Sequence, residues 1–202
     1  MSSLHPASDH AVGDASEWIA ITPMRMELLP SYHECLDSVC REGKYLMNSC
    51  APDLEHSREF VTRILEAGEP MVVAVIPGMR VIGWCDIYRL PHSYQFHVGR
   101  LGMGISHGFR NQGIGNLLMQ RALHAARRAR MERIELDVFE HNARAIALYH
   151  RWGFEREGFK RCARKIRGSY ENMIAMAKLM PHGFDLRPSA ATLDSKTSEV
   201  SK

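Results

Sequence analysis

Apolar residues recur along this chain with two alternating periods, and the changes of period divide it into elements. Residues 54–67 carry paired apolar positions, Phe60/Val61 and Ile64/Leu65, at the spacing that predicts a helix with that stripe turned inward. Residues 32–40 read as a shorter helix before it. Residues 71–76 and 81–88 are β-rich runs joined across Pro77 and Gly78, a turn pair, and predict a β-hairpin. Further strands are expected over residues 19–28 and 97–105. From Gln112 to Arg130 the period returns to that of a helix, with Ile114, Leu118, Ala122, Ala125 and Ala129 three and four residues apart. Residues 133–139 alternate strictly, so Ile134, Leu136 and Val138 share one face and Glu135 and Asp137 the other. A helix after Asn142 and two strands, residues 154–157 and 170–179, complete an α/β order of β-α-α-β-β-β-α-β-α-β-β. No internal repeat interrupts it.

Length and composition fit one enzyme-sized domain, since 202 residues with 45% hydrophobic content can bury a single core. Residues 19–181 are expected to form it, with residues 1–18 and 182–202 as polar, aperiodic, flexible tails. The formal charge of +3 calls for no nucleic-acid or membrane surface. Five cysteines without a C-x-x-C pair signal neither a zinc site nor a disulfide framework and suit reduced thiols. Eleven histidines include no H-x-x-x-H or H-E-x-x-H spacing, so no metal role is expected. A start without a basic segment and apolar core, and no apolar run of spanning length, lead to the expectation of a soluble, cytoplasmic protein.

The most informative stretch runs from Ile105 through Arg110, Asn111, Gln112, Gly113, Ile114 and Gly115 into an apolar-periodic helix. Unpaired N–H donors at a helix start sit on the positive end of the helix dipole, and glycines let a bulky anion approach them, so the loop reads as a phosphate cradle. It is not a Walker loop, because Asn116 and Leu117 follow the last glycine where Lys and Ser or Thr are required. Nor is it a dinucleotide fingerprint, because Gly102, Gly104 and Gly108 have the wrong spacing and precede the helix. Taken alone, the pattern also fits a plain strand-to-helix turn.

About thirty residues later the strand of residues 133–139 leads into Asn142, Ala145, Tyr149, Gly153 and Phe154. Together R-x-x-G-x-G and N-x-x-A-x-x-x-Y-x-x-x-G-F resemble the GNAT superfamily of acyl-CoA-dependent N-acyltransferases. Glu157-Gly158, Gly168-x-Tyr170 and Met176 extend the likeness toward the bacterial branch of ribosomal-protein, spermidine and amino-acid N-acetyltransferases. The resemblance implies a mixed central sheet of about six to seven strands flanked by about four helices. It also implies acetyl-CoA as co-substrate, with its pyrophosphate on the loop Arg110, Asn111, Gln112, Gly113, Ile114 and Gly115. The pantetheine arm would lie along Met103, Gly104 and Ile105 and beside Asn142 and Tyr149, and Tyr149 would protonate the departing thiolate. Asn142 also reads as an ordinary helix N-cap, and the two roles are compatible.

Within this reading the reaction is direct transfer of acetyl to a primary amine in a ternary complex, the acceptor being an amino acid, a peptide N-terminus or another small amine. Asp137 stands twelve residues before Tyr149, where relatives carry a glutamate thought to act as base, so a water-relayed base role is assigned to it, with a solvated strand carboxylate as the alternative. At pH 7.5 an α-amine of pKa about 8 is roughly a quarter free, so a weak base would suffice. The basic stretch Lys160, Arg161, Arg164, Lys165 and Arg167 is expected in the hairpin between the last two strands, where it could attract a carboxylate or simply be solvated. Its sign disfavours a polyamine acetyltransferase, the alternative enzyme. A non-catalytic acyl-CoA sensor would not need Tyr149. No nucleic acid or membrane partner is expected, and a homodimer is allowed.

Overall fold

The computed structural model describes residues 18–180. The tails expected over residues 1–18 and 182–202 therefore lie outside the described residues except for residue 18, as does the domain boundary at residue 181. Strands β1 (Ala20–Pro23), β2 (Met71–Ile76), β3 (Arg80–Tyr88), β4 (Val98–Ile105), β5 (Arg133–Phe139), β6 (Glu155–Ile166) and β7 (Ser169–Leu179) form one sheet in the order β1-β2-β3-β4-β5-β7-β6. Helices α1 (Leu29–Arg41), α2 (Leu54–Glu66), α3 (Ile114–Arg128) and α4 (Ala143–Arg151) flank it. This is the mixed α/β architecture the sequence predicts.

Two strand boundaries and one helix face differ from expectation. The first strand stops at Pro23, after which a 3-10 turn, Met26–Leu28, feeds α1. Met24, Leu28 and Leu29 all enter the core at this corner, and an extended chain could not bury all three on one side. The sixth strand runs to Ile166 rather than ending near residue 157, so most of the basic stretch is strand and not hairpin loop. It pairs with β7 along its length, with register shifts at Arg156/Gly158 and Lys160/Arg164, and the extra residues turn its side chains out of strict alternation. In α3 the buried line is Ile114, Leu118, Ala122 and Ala126, joined by Met119 and Leu123, while Ala125 and Ala129 are only half-buried.

The sheet has a core on each face. Cys85, Ile87, Leu101, Ile134, Leu136 and Val138 pack toward α3, with Tyr149 and Phe154 at the edge of that cluster. On the opposite face Trp84, Val73 and Val81 pack on α1 and α2, and Trp84 meets the ring of Tyr32 edge-on at 5.8 Å. One seam of the sheet is only partly paired. Strands β4 and β5 are parallel neighbours, but their register covers only Val98↔Arg133, Gly99↔Ile134 and Arg100↔Glu135. Beyond Arg100 the strands part, and β4 continues with β3 alone.

On the α1–α2 face of β4, Gly102 and Gly104 present no side chain, and β3 fills the space. A Cβ added at Gly104 would run into the Trp84 ring, which is 3% exposed and wedged against α1. Gly104→Ala is therefore expected to destabilise the protein by about 1–3 kcal/mol through overpacking. Urea denaturation followed by circular dichroism would check this, and an unchanged midpoint would mean that Trp84 has room to yield.

Candidate active site

The parting of β4 from β5 opens a cleft of about 1370 Å³, larger than the usual small-molecule pocket and long enough to take an extended ligand together with an acceptor. It is bounded by β4 on one side and by β5 and α4 on the other. The loop from Ile105 to α3 closes one end of it.

The geometry of that loop suits an anion. Asn111 and Gly113 have φ of 66° and 80°, the left-handed region, so successive amides converge instead of alternating. Among the described residues no amide from Asn111 to Gly115 donates to a backbone carbonyl, whereas Asn116 and Leu117 both donate to Gly113. The five free N–H groups stand at the N-terminus of a 15-residue helix, where the dipole favours negative charge. The two glycines differ in purpose. Gly113 has open space around it and is required by its backbone angle, while a Cβ at Gly115 would press on Leu148 of α4 at 3.2 Å. Gly113 thus sets the turn of the loop, and Gly115 lets α3 pack against α4.

The Arg110 side chain does something the sequence does not suggest. Its Nη1 donates to Glu42 at 2.8 Å and its Nε to the Ile105 carbonyl at 2.8 Å, and the guanidinium lies over the Tyr45 ring at 4.8 Å. Arg110 therefore ties the segment after α1 to the cradle loop. Gln112 donates to the Gly108 carbonyl at 3.2 Å, which steadies the same turn.

The other wall carries Asn142 and Tyr149 on α4, seven residues and about 10 Å apart along the axis. Asn142 is the N-cap, its side chain accepting from the Ala145 amide at 3.3 Å. Tyr149 lines the cleft at its inner end and is 7% exposed. Burial, with a smaller contribution from nearby Cys85, pushes its phenol well above the ordinary tyrosine range, so it stays protonated at neutral pH. Met103 and Ile105 line the cleft from β4, with Gly104 between them.

Asp137 opens onto the α1–α2 face of the cleft, as its outward strand position predicts. It is not a free carboxylate. Arg100 donates to it at 2.6 Å and Lys160 at 2.7 Å, and Arg100 also lies 3.7 Å from Glu135. Tyr88, across β3 from Arg100, lines the same side. Sequence reasoning misses Arg100 because a strand arginine reads as solvated. The signal that could find it is period two, which sets Arg100, Gly102 and Gly104 opposite the apolar Leu101 and Met103.

The α1–α2 connection is drawn over this face by Arg164. That side chain is buried, donates to Glu171 at 2.7 Å, to the Leu46 carbonyl at 2.6 Å and to the Gly43 carbonyl at 3.1 Å, and stacks on Phe139 at 4.0 Å. Of the basic stretch, then, Arg164 is a buried clamp, Lys160 faces the cleft, and Arg161 and Lys165 are exposed. Among the described residues no cluster of His, Cys, Asp and Glu could hold a metal ion, and no helix is long and apolar enough to cross a membrane.

Comparison with known proteins gives this geometry a family. The model of the acetyltransferase (GNAT) family matches residues 38–154. The L-amino acid N-acetyltransferase AaaT of Escherichia coli is 32% identical over 113 residues, 55% of this chain and 69% of that protein. Among solved structures, a ribosomal-protein-alanine N-acetyltransferase from Brucella melitensis superposes with a TM-score of 0.74 at 22% identity, over 80% of this chain and 99% of its own. A phosphinothricin acetyltransferase from Sinorhizobium meliloti in complex with acetyl-CoA reaches 0.77 at 17% identity, over 88% and 97%. The chain therefore belongs to the GNAT acetyltransferase family.

Proposed function

We propose that the protein moves the acetyl group of acetyl-CoA directly to the amine of a small carboxylate-bearing acceptor, an amino acid or a peptide N-terminus. The observation that carries this reading is the cleft itself. A nest of free amides lies at one end, a protonated buried tyrosine at the inner end, and two cations on the acceptor side. Bound in the cleft, acetyl-CoA would supply an activated thioester. The chain's residues supply the rest. The amides from Asn111 to Gly115 bind the pyrophosphate, and Arg110 holds the loop in place through Glu42 and Tyr45. Asn142 orders the start of α4 beside the pantetheine arm. Tyr149 hands its proton to the sulfur as the C–S bond breaks.

The acceptor assignment draws on charge. Arg100 and Lys160 converge on Asp137, and although Glu135 beside Arg100 leaves the four groups without net charge, the two cations offer N–H donors on the α1–α2 face that suit an acceptor carboxylate. The name of the Escherichia coli relative, an L-amino acid N-acetyltransferase, points the same way. We assign Asp137 to positioning these two cations. Proton removal by Asp137, the role its spacing to Tyr149 suggests, would give a different dependence on pH.

Gly113→Val is expected to weaken acetyl-CoA binding at least about tenfold, because a β-branched residue resists the left-handed angle that makes the amides converge. Isothermal calorimetry would check it, and unchanged affinity would remove the cradle from the binding site. Tyr149→Phe should leave that affinity intact while slowing transfer about 100-fold, read by thiol release under single-turnover conditions. A wild-type rate there would rule out Tyr149 as the acid. For Asp137→Asn, the positioning role calls for a raised KM for acidic-ended acceptors with a pH profile parallel to wild type from pH 6 to 9. A profile depressed selectively at low pH would instead make Asp137 the base.

A further inference from the structure

The α1–α2 face of β4 has a second consequence at Gly102. Asp86 of β3 pairs with Gly102, two residues past the point where β4 leaves β5. Its carboxylate folds over the glycine, and a Cβ added there would sit 2.9 and 3.1 Å from the two carboxylate oxygens. Asp86 thus occupies the place of the side chain that β4 lacks, directly behind Gly102, which lines the cleft. Tyr149 lies across the strand edge, on the α3–α4 side.

The residue is chemically unusual for its place. It is 4% exposed in a strand that is otherwise apolar from Val81 to Ile87, and none of the ion pairs among the described residues includes it. A buried carboxylate without a cationic partner costs stability even with the hydrogen bonds that Trp84 and the Gly102 backbone offer it. The titratable groups facing it are Tyr32 of α1 and its strand neighbours Cys85 and Tyr88, with Arg100 of β4 beyond Tyr88. None of the three near ones is a cation.

We propose that Asp86 is the base that takes the proton from the acceptor amine. This rests on the acetyl-transfer reading. The acceptor enters as an ammonium ion. One N–H bond breaks toward an Asp86 oxygen and the nitrogen lone pair is freed. That pair forms the N–C bond, the C–S pair passes to sulfur, and sulfur takes the Tyr149 proton. The second N–H proton restores Tyr149, and Asp86 releases its own to solvent, so the sum is ammonium plus thioester giving amide, thiol and one proton. Burial, partly countered by Trp84 and the backbone of Asp86 and Gly102, pushes the Asp86 carboxyl up to about 7, where it can both accept and return a proton at neutral pH. Asp137 is less suited, because its oxygens already accept from Arg100 and Lys160.

The sign of the linkage separates this role from a structural one. A carboxyl whose folded pKa lies above its unfolded value adds stability at low pH that is lost as pH rises through about 7. Asp86→Asn should therefore raise the thermal midpoint at pH 8 while lowering activity, the opposite of what removing a structural carboxylate does.

The test compares wild type and Asp86→Asn on two acceptors, an α-amine and an alkoxyamine that is already unprotonated at neutral pH, with acetyl-CoA affinity measured by calorimetry for each enzyme. The expected result at pH 7 is a loss of about 100-fold in kcat/KM for the α-amine, near parity for the alkoxyamine and unchanged acetyl-CoA affinity. Should the Asn variant not fold, Asp86→Ala assayed with and without formate serves instead, with formate restoring transfer to the α-amine. Equal losses on both acceptors, no loss on either, or an Ala variant that binds acetyl-CoA yet is untouched by formate would overturn the proposal. Wild-type enzyme inert toward every amine would overturn the acetyl-transfer reading beneath it.

Discussion

Three residue pairs of parallel ladder, Val98 to Arg100 against Arg133 to Glu135, hold β4 to β5, and the molecule depends on that pairing being so short. A longer ladder would zip the cleft shut and satisfy the backbone of β4 internally. A shorter one would leave two half-sheets without a common core. The twist of a seven-stranded sheet works against continued pairing, but the register on either side is firmer. Strand β4 keeps six pairs with β3 and β5 keeps seven with β7, so the split is confined to one seam. The free edge of β4 beyond Arg100 can then meet a ligand in the way another strand would.

Around that seam the polar groups fall into two kinds. The cradle amides and Tyr149 are presented to the cleft with few competing protein partners. Two arginines, by contrast, are fully engaged. Arg164 gathers the carbonyls of Gly43 and Leu46, and Arg110 gathers Glu42 and Tyr45, so the α1–α2 connection is fastened from both ends of the cleft. Guanidinium suits this work because its planar fork can serve several acceptors while stacking on a ring. Cleft wall and scaffold are thus assembled from the same basic segments, with Arg100 and Lys160 paired to Asp137 on the α1–α2 face.

Much of this architecture is legible in the unfolded chain. Period two and period 3.6 locate all seven strands and four helices, and the cradle loop stands out because glycines lie where a strand meets an amphipathic helix. The misleading signals are local. The first strand reads too long because Met24, Leu28 and Leu29 are as apolar as strand residues, although they turn a corner. The sixth strand reads too short because Lys160 to Arg167 is charged enough to look like a loop. An edge strand tolerates charge, however, and its bulges let Arg164 point inward while its neighbours stay in water.

What the sequence by itself determined is therefore whatever depends on near neighbours. That includes element type and order, the glycine-bearing loop at the start of α3, the N-cap at Asn142, and the shared helix face of Asn142 and Tyr149. Tertiary structure alone decided the matters that join residues far apart in the chain. Among them are the parting of β4 and β5, the capture of Arg110 by Glu42 across 68 positions, the pairing of Asp137 with Arg100 and Lys160, and the folding of Asp86 over Gly102. The reason is physical. Backbone geometry repeats every few residues and writes itself into spacing, whereas the partner of a charge is fixed only once the sheet order brings two strands side by side.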